Sequence, residues 1–209
     1  MASPVKTPRP SRKDRAAATR RRVLAAATAE FVANGYHGTP MSAIAARAGV
    51  AVQTVYFVFH TKPELFAAAL DAAVLGPEER PPMEQHWAAE VAAGTTPALL
   101  AVEAFIRGSG PIFERAAALS EVASAAAATD PELAEIYQTR EGYRIAGYRD
   151  LVRSLDLSDD SDPDRALDLL VTLHSPRLYL AFRDGRGWSH SAVIDWMAGT
   201  IPPLVLQET

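Results

Sequence analysis

The sequence predicts an all-α protein of about nine or ten helices. Apolar residues recur at helical spacing along almost all of the 209 residues, and no alternating strand pattern of useful length interrupts them. Capping side chains and prolines mark helix starts, as at Asp162-Pro163, and glycine follows a helix end at Asn34-Gly35. Hydrophobic residues make up 48% of the chain, which is enough for a folded core.

The elements follow one another with short connections. The first helix is predicted over residues 12–34, and two short helices follow between Thr39 and Phe59. Thr61 and Glu64 have the spacing of a capping box, which opens the next helix. The later predicted helices are 63–75, 84–93, 97–107, 111–128, 131–155, 163–183 and 189–205. The break from Gly76 to Met83 and the acidic loop 157–161 separate groups of helices.

Residues 39–65 hold the most specific pattern in the chain. Thr39 suits an N-cap and Pro40 the first helical position, while Gly49 suits a sharp turn because a residue without Cβ tolerates positive φ. The apolar stripes before and after that turn are Met41, Ile44, Ala45 and Ala48, then Val52, Val55, Tyr56 and Phe59. This pattern is typical of a helix-turn-helix, which places its second helix in the major groove of DNA.

The net charge of −4 conceals a division between the two ends of the chain. Residues 1–62 contain ten Lys and Arg against two acidic residues, whereas the remainder contains eleven against twenty-three. A basic region that meets phosphate and an acidic body that stays away from it fit this asymmetry. The basic N-terminal arm, residues 1–11 and the residues that follow, either reaches DNA or is a solvated tail; its cations are Lys6, Arg9, Arg12, Lys13 and Arg15.

These residues resemble those of a known family. The run from Thr19 to Ala27 (TRRRVLAAA), with Phe31, Gly35-Tyr36 and Thr39 after it, is similar to the first helix of TetR-family repressors. The similarity continues through Ile44-Ala45, Ala48-Gly49-Val50, Thr54-Val55-Tyr56, Phe59, Lys62 and Leu65. The resemblance implies a DNA-binding domain at 12–62, and a helical ligand-binding and dimerisation domain at 63–209. It also implies a homodimer that binds a palindromic operator and is released from it by a small molecule.

The resemblance also assigns roles at the DNA. Gln53 and Thr54 would face the groove, where glutamine can make a bidentate contact with adenine. Tyr56 and Lys62 would contact phosphates, and Thr39 and Ser42 would offer hydroxyl and backbone N–H groups to another phosphate. The remaining residues expected at the interface are Ala51, Val52 and Phe57. Because Ala51 and Val52 replace more polar residues of the family, we expect few hydrogen bonds to bases and some contacts with thymine methyl groups.

The helical body offers less specific candidates. The residues expected to line a ligand pocket are Trp87, Phe105, Ile106, Phe113, Leu119, Tyr137 and His174. The residues expected at the dimer interface form a stripe on the predicted helix 163–183, wide enough for a four-helix bundle with 131–155 or the final helix: Leu167, Leu170, Val171, His174, Leu178 and Ala181. Both sets have a plain alternative, because aromatic and aliphatic residues at helical spacing more often complete the core of a monomer.

The sequence gives little support to other classes of function. It has no cysteine, no P-loop, no nucleophile elbow and no metal-ligand spacing among its five histidines, so neither an enzyme nor a metal or cofactor is expected. It also lacks an apolar run long enough for a membrane span, so a cytoplasmic protein with no membrane partner is expected. The alternatives are a helical enzyme that keeps only the scaffold, and a basic membrane-surface protein.

Overall fold

The computed structural model describes residues 11–76, 97–155, 157 and 161–206. In these ranges the chain forms nine helices and no strand, which confirms the all-α prediction. The helices are α1 (Arg12–Gly38), α2 (Met41–Ala48), α3 (Val52–Phe59), α4 (Lys62–Leu75), α5 (Ala98–Ala127), α6 (Pro131–Ser154), α7 (Pro163–Leu173), α8 (Pro176–Arg186) and α9 (His190–Val205).

The chain divides into two compact units, Met1–Ala69 and Leu70–Thr209. We call the described part of the first unit the head and that of the second unit the body. The division falls inside α4, whereas the sequence analysis placed the boundary at residues 62 and 63. The helix predicted at 84–93 and the break at 77–83 lie outside the described residues, as does most of the acidic loop.

The head is built around the apolar face of α1. Val23, Ala27 and Phe31 are completely buried, and the Phe31 ring packs edge-on against Phe66 with the centroids 5.0 Å apart. Tyr36 stacks on Phe31 at 5.7 Å. The other fully or almost fully buried members of this core are Ile44, Val55, Phe59 and Leu65. This core joins α1, α2, α3 and the start of α4, and it fixes the position of α3, whose outer face is exposed.

The connection from α1 to α2 differs in one detail from the prediction. Gly35 has φ 70° and interrupts α1, as the Asn34-Gly35 signal indicates. Thr39, however, is not the N-cap of α2, because Pro40 occupies that position without a side-chain cap. The Thr39 hydroxyl instead donates to the carbonyls of Glu30 and Gly35 at 3.0 and 2.7 Å. These carbonyls lie where α1 breaks and need a donor, and this need decides the orientation of Thr39.

The body consists of the last turn of α4 and helices α5 to α9. Its core joins Val102 and Ile106 of α5, Leu151 of α6, Leu170 of α7 and Met197 of α9, all fully buried. The long α5 runs through Pro111, so the prediction of two helices at 97–107 and 111–128 was wrong. A proline inside a helix costs about 3 kcal/mol, and the packing of α5 against α6, α8 and α9 outweighs that cost.

The segment predicted as one helix at 163–183 is two helices. It breaks at His174 and Ser175, and the Ser175 hydroxyl caps α8 by accepting a hydrogen bond from Leu178 N–H at 3.3 Å. Pro176 occupies the first turn of α8. A residue before proline avoids the helical region, so Ser175-Pro176 is a helix start that the apolar stripe masks. The cap predicted at Asp162 is confirmed, and Ser189 caps α9 at the predicted start of the last helix.

Over the described ranges, no single helix has both the length and the hydropathy of a membrane span. Only α2 and α3 taken together reach that threshold, across a bend of 107°.

Candidate nucleic-acid interface

The turn between α2 and α3 has the geometry of a helix-turn-helix. Gly49 adopts the left-handed conformation (φ 65°, ψ 42°), and Val50 N–H donates to the Ala45 carbonyl at 3.0 Å. This bond closes the end of α2 in a Schellman arrangement, which only a residue that tolerates positive φ accommodates readily. The chain turns by 107° from α2 to α3, within the range expected of this motif.

Helix α3 has one buried face and one exposed face. Val55 and Phe59 are 0% and 4% exposed, and they anchor the helix in the core of the head. On the opposite face Gln53 is exposed, Tyr56 is 47% exposed and Phe57 is 82% exposed. Their spacing places all three on one side of the helix. The other candidates lie beside them, with Ala51 exposed and Val52 and Thr54 half-buried.

A tight reversal follows α3. His60 has φ 53° and ψ −55°, and Thr61 N–H donates to the Phe59 carbonyl at 2.5 Å, which is a classic γ-turn. Thr61 then accepts a hydrogen bond from Glu64 N–H at 3.2 Å, which confirms the predicted cap of the next helix. The reversal brings Lys62, the first residue of α4, directly after α3. The sequence gives no clear sign of this turn, because positive φ is uncommon for any residue other than glycine, although histidine adopts it more often than most.

Two cations rest on aromatic rings of the head. Lys62 Nζ lies 4.4 Å from the centroid of the Tyr36 ring, and Arg20 Cζ lies 4.8 Å from that of Phe59. Such contacts attract a cation to the face of the ring and so limit its orientation. Arg20 was missed by the sequence analysis, because periodicity alone does not tell which of Arg20, Arg21 and Arg22 lies beside α3.

The residues expected at the start of α2 separate into two groups. Ser42 is exposed in the first turn of α2, where the backbone N–H groups of a helix lack the usual intrahelical acceptors. Thr39 is completely buried, its hydroxyl donates as described above, and its N–H donates to the Tyr36 carbonyl at 3.3 Å. Ser42 is therefore accessible at the start of α2, whereas the hydroxyl of Thr39 is used within the head.

The basic arm is described only in part. Lys6 and Arg9 lie outside the described residues, whereas Arg12, Lys13 and Arg15 are exposed in the first turns of α1. Ser11 and Asp14 form a capping box at its start, with Ser11 Oγ accepting from Asp14 N–H at 3.1 Å. The hydrogen bonds from the side chain and the backbone of Ser11 lower the pKa of Asp14.

Three of the ligand-pocket candidates meet in the body. The ring of His174 lies 4.7 Å from Phe113 and 5.8 Å from Phe105, and all three are buried. Ile106 belongs to the same core. Leu119 is buried and Tyr137 half-buried, and neither is a member of that core cluster. Trp87 lies outside the described residues.

His174 is the centre of a buried polar cluster. Its Nε2 lies 2.8 Å from Ser109 Oγ and its Nδ1 lies 2.9 Å from the Tyr148 hydroxyl. Tyr148 also donates to the His174 carbonyl at 2.7 Å, and Arg144 donates to the same carbonyl at 3.2 Å. Burial lowers the pKa of His174 to about 3 and raises that of Tyr148 to about 12. The cluster ties the break between α7 and α8 to α5 and α6.

The dimer candidates do not form one continuous stripe, because the helix breaks at His174. Leu170 and His174 are buried within the chain, whereas Leu167, Val171 and Leu178 are half-buried and Ala181 is exposed. The structure adds an aromatic group that the sequence analysis did not assign. Phe182 lies between Trp188 and Trp196, at centroid distances of 4.7 and 4.8 Å, and Trp188 is 38% exposed.

Comparisons with known proteins agree with this geometry. Residues 23–69 match the family of bacterial regulatory proteins named tetR. A proposed TetR-family transcriptional regulator from Mesorhizobium loti is similar in structure at 21% identity, with a TM-score of 0.63 over 91% of this chain and 96% of that one. The MbdR regulator of Azoarcus sp. CIB is similar at 18% identity and 0.66, over 91% and 98%. No curated protein sequence matches the chain.

A third similar structure holds a ligand. The transcriptional regulator FadR of Bacillus subtilis, in complex with stearoyl-CoA, matches at 15% identity with a TM-score of 0.62, over 90% of this chain and 97% of that one. At these identities the three likenesses establish the fold. The family match covers most of the head, including all of α2 and α3.

Proposed function

We propose that this chain, a TetR-family protein by its DNA-binding domain and its fold, is a repressor that binds a palindromic operator as a homodimer and is released by a small molecule. The outer face of α3 carries the proposal. Gln53, Tyr56 and Phe57 are exposed on a helix whose opposite face is locked into the core of the head. A rigid helix presented in this way suits the major groove of DNA.

The proposed contacts fall into two classes. Gln53 and Thr54 read base edges, because they carry the polar groups of α3 that lie nearest its N-terminus. Tyr56, Lys62 and Ser42 hold phosphates, and Arg20 joins them on the side of α3 where it rests on Phe59. Phosphate contacts fix the position of the head, while base contacts supply its sequence preference.

A dimer follows from the need to read two half-sites. In the proposed complex two heads dock in successive major grooves, about 34–36 Å apart along the duplex. Leu167, Val171, Leu178 and Ala181 remain the candidates for the dimer surface, and the aromatic group around Phe182 extends it. Sedimentation of the full chain tests this part, and a monomer at micromolar concentration would contradict it.

The proposed release acts through α4. In the body, Arg115 donates to the carbonyls of Ala73 and Val74 at 2.9 and 3.2 Å. Arg140 forms a bidentate ion pair with Asp71 at 2.9 Å. These bonds tie the last turns of α4 to α5 and α6, and α4 begins at Lys62. A ligand of the body that shifts α5 or α6 would then bias the spacing of the heads, provided that it binds one spacing more tightly. The FadR complex supports a ligand-responsive body of this fold.

The two alternative functions find less support. A membrane-surface protein needs an apolar face on its basic first helix, but Val23, Ala27 and Phe31 are completely buried in the head. A helical enzyme needs reactive groups that a substrate can reach. His174 and Ser109 are 1% and 5% exposed, and their partners are each other, Tyr148 and backbone carbonyls.

Selection of bound duplexes from a random DNA pool, at two salt concentrations, tests the proposal. A dimeric sequence-specific regulator enriches a palindrome, and the enrichment survives the higher salt concentration. If binding shows no enrichment and disappears when salt is added, the basic head binds only phosphate and does not recognise sequence. Gln53→Ala then sharpens the result, because it should relax one base position per half-site by about 1–3 kcal/mol while other positions stay selective.

A further inference from the structure

Phe57 is the most exposed of the large hydrophobic side chains in the described residues, at 82%. The neighbouring Tyr56 is 47% exposed, and its hydroxyl gives it a polar reason to face solvent. Phe57 has no polar atom. The helix cannot rotate to cover the phenyl ring, because Val55 and Phe59 would then leave the core. The fold therefore holds an apolar ring in water, at a place where a partner is expected.

The position of Phe57 specifies the partner. Phe57 is four residues after Gln53, so the two side chains are neighbours on the same side of α3. Two cations lie near the C-terminal end of α3: Arg20 rests on the Phe59 ring, and Lys62 begins the next helix three residues after Phe59. An apolar group beside a glutamine, on a helix with cations near its end, suits a partner surface whose rim is anionic, as the rim of a DNA groove is. A second protein chain would find that positive rim unfavourable unless it were acidic.

The chemistry of the major groove limits which base Phe57 can recognise. A phenyl ring makes no ordinary hydrogen bond to a base edge, so it discriminates bases through apolar contact. The C5-methyl of thymine is the apolar group that the four bases present in the major groove. We propose that Phe57 reads a thymine by contact with this methyl group. The inference rests on the proposed function, and it makes Phe57 a determinant of operator sequence.

The helix geometry also limits where that thymine lies. Four residues along an α-helix span about 6 Å, and base pairs are stacked about 3.4 Å apart. The thymine read by Phe57 therefore lies within about two base pairs of the pair read by Gln53. If Gln53 reads adenine, each half-site contains two closely spaced A·T pairs.

Removal of single methyl groups from the DNA tests the inference. Deoxyuridine replaces each thymine of the selected operator in turn, and the affinities of the wild-type protein and of Phe57→Ala are measured by fluorescence anisotropy. For one position, the wild-type protein should lose about fourfold in affinity per half-site, and about fifteenfold when both are replaced. Phe57→Ala should bind the thymine and deoxyuridine operators equally well, because the partner of the methyl group is already absent.

The control variant is Val32→Ala, which shortens another exposed apolar residue of the head, 44% exposed on α1. It should keep the full loss on deoxyuridine replacement. A loss that persists in Phe57→Ala would overturn the inference and assign the methyl group to Ala51 or Val52. A Phe57→Ala protein that dissociates into monomers without DNA would also overturn it, because Phe57 would then belong to a protein interface. If the wild-type protein enriches no operator, the proposed function is contradicted, and the inference that rests on it is contradicted as well.

Discussion

The head exposes a large apolar side chain to solvent, whereas the body buries a group of polar side chains. The head exposes a phenylalanine at 82% on α3, while the body buries a histidine at 1% among Ser109, Tyr148 and Arg144. Nothing within the fold of the head explains the exposure of Phe57. In the body each polar group of the cluster has a partner in the chain. Function is therefore easier to infer in the head, because the exposed Phe57 needs a partner from another molecule.

The comparison also separates two kinds of requirement on a sequence. In the head the eight residues of α3 must both fill a core and present a surface. One of these two requirements accounts for the residue type at almost every position of the helix. In the body the observed contacts explain stability, and the proposed ligand would have to replace some of them. The head should thus respond to substitutions through DNA binding, and the body mainly through its free energy of unfolding.

Phe31→Ala should break the head and leave the body intact. The buried ring packs on Tyr36 and Phe66, and its loss should cost about 3–5 kcal/mol, which is comparable to the whole stability of a unit of this size. Hydrogen exchange should show lost protection in the head and retained protection in α5 to α9. Val32→Ala, at an exposed neighbouring position, should change the unfolding free energy by less than about 0.5 kcal/mol. Equal loss of protection in both units would contradict the expectation that the head unfolds while the body stays folded.

Acid should weaken the body through His174. Burial lowers the pKa of this histidine to about 3, whereas in the unfolded chain it is about 6.5. Between these values the unfolded state binds more protons, so stability falls as the pH falls. The expected loss from pH 7 to pH 5 is about 2 kcal/mol. Urea unfolding at the two pH values measures it, and His174→Asn should remove this part of the slope. An unchanged slope in that variant would exclude His174 as its source.

Tyr148→Phe should have a smaller effect on the same cluster. The substitution removes the hydroxyl that donates to the His174 carbonyl at 2.7 Å and keeps the ring that packs on Phe105. The unfolding free energy should fall by about 1–2 kcal/mol, because buried partners lose a hydrogen bond. Tyr143→Phe is the matched control, since Tyr143 is 70% exposed on the same helix. DNA affinity without effector should stay within about twofold for both variants, and a large loss for Tyr148→Phe would contradict the assignment of this cluster to the stability of the body.

The head could be predicted from the sequence because its structure is set by local signals. Gly49 takes the positive φ that the turn requires, and Thr61 caps the helix that follows it. In the body, tertiary contacts override local signals. Helix α5 continues through Pro111, where Gly110 lies close to Ile194 of α9, while the hydrogen bonds of His174 accompany a helix break that the apolar stripe conceals.

The candidate site could be predicted only in part for a related reason. The spacing of α3 predicts which residues share a face, and in the structure Gln53 and Tyr56 are exposed together on that face. Burial of Thr39 depends on the carbonyls exposed by the break in α1, and the position of Arg20 depends on the packing of α1 beside α3. Neither property is encoded by the neighbours of these residues in the sequence. Sequence spacing therefore predicts which side chains lie on one helix face, and the fold decides which of them are free to act.

Lys62→Met should have the smallest effect and gives the finest test of the comparison. The variant keeps an apolar stem over the Tyr36 ring, where Nζ lies 4.4 Å from the centroid, and removes the charge that we assign to a phosphate. All DNA sequences should bind more weakly by the same factor, and the slope of log affinity against log salt should fall by about one per head. Lys62→Arg should restore both quantities, because a phosphate contact needs a cation and not a particular side chain. A loss confined to one base position would move Lys62 to the class of base-reading residues. Binding that is unchanged at every salt concentration would leave Lys62 a structural role, as a cation resting on an aromatic ring.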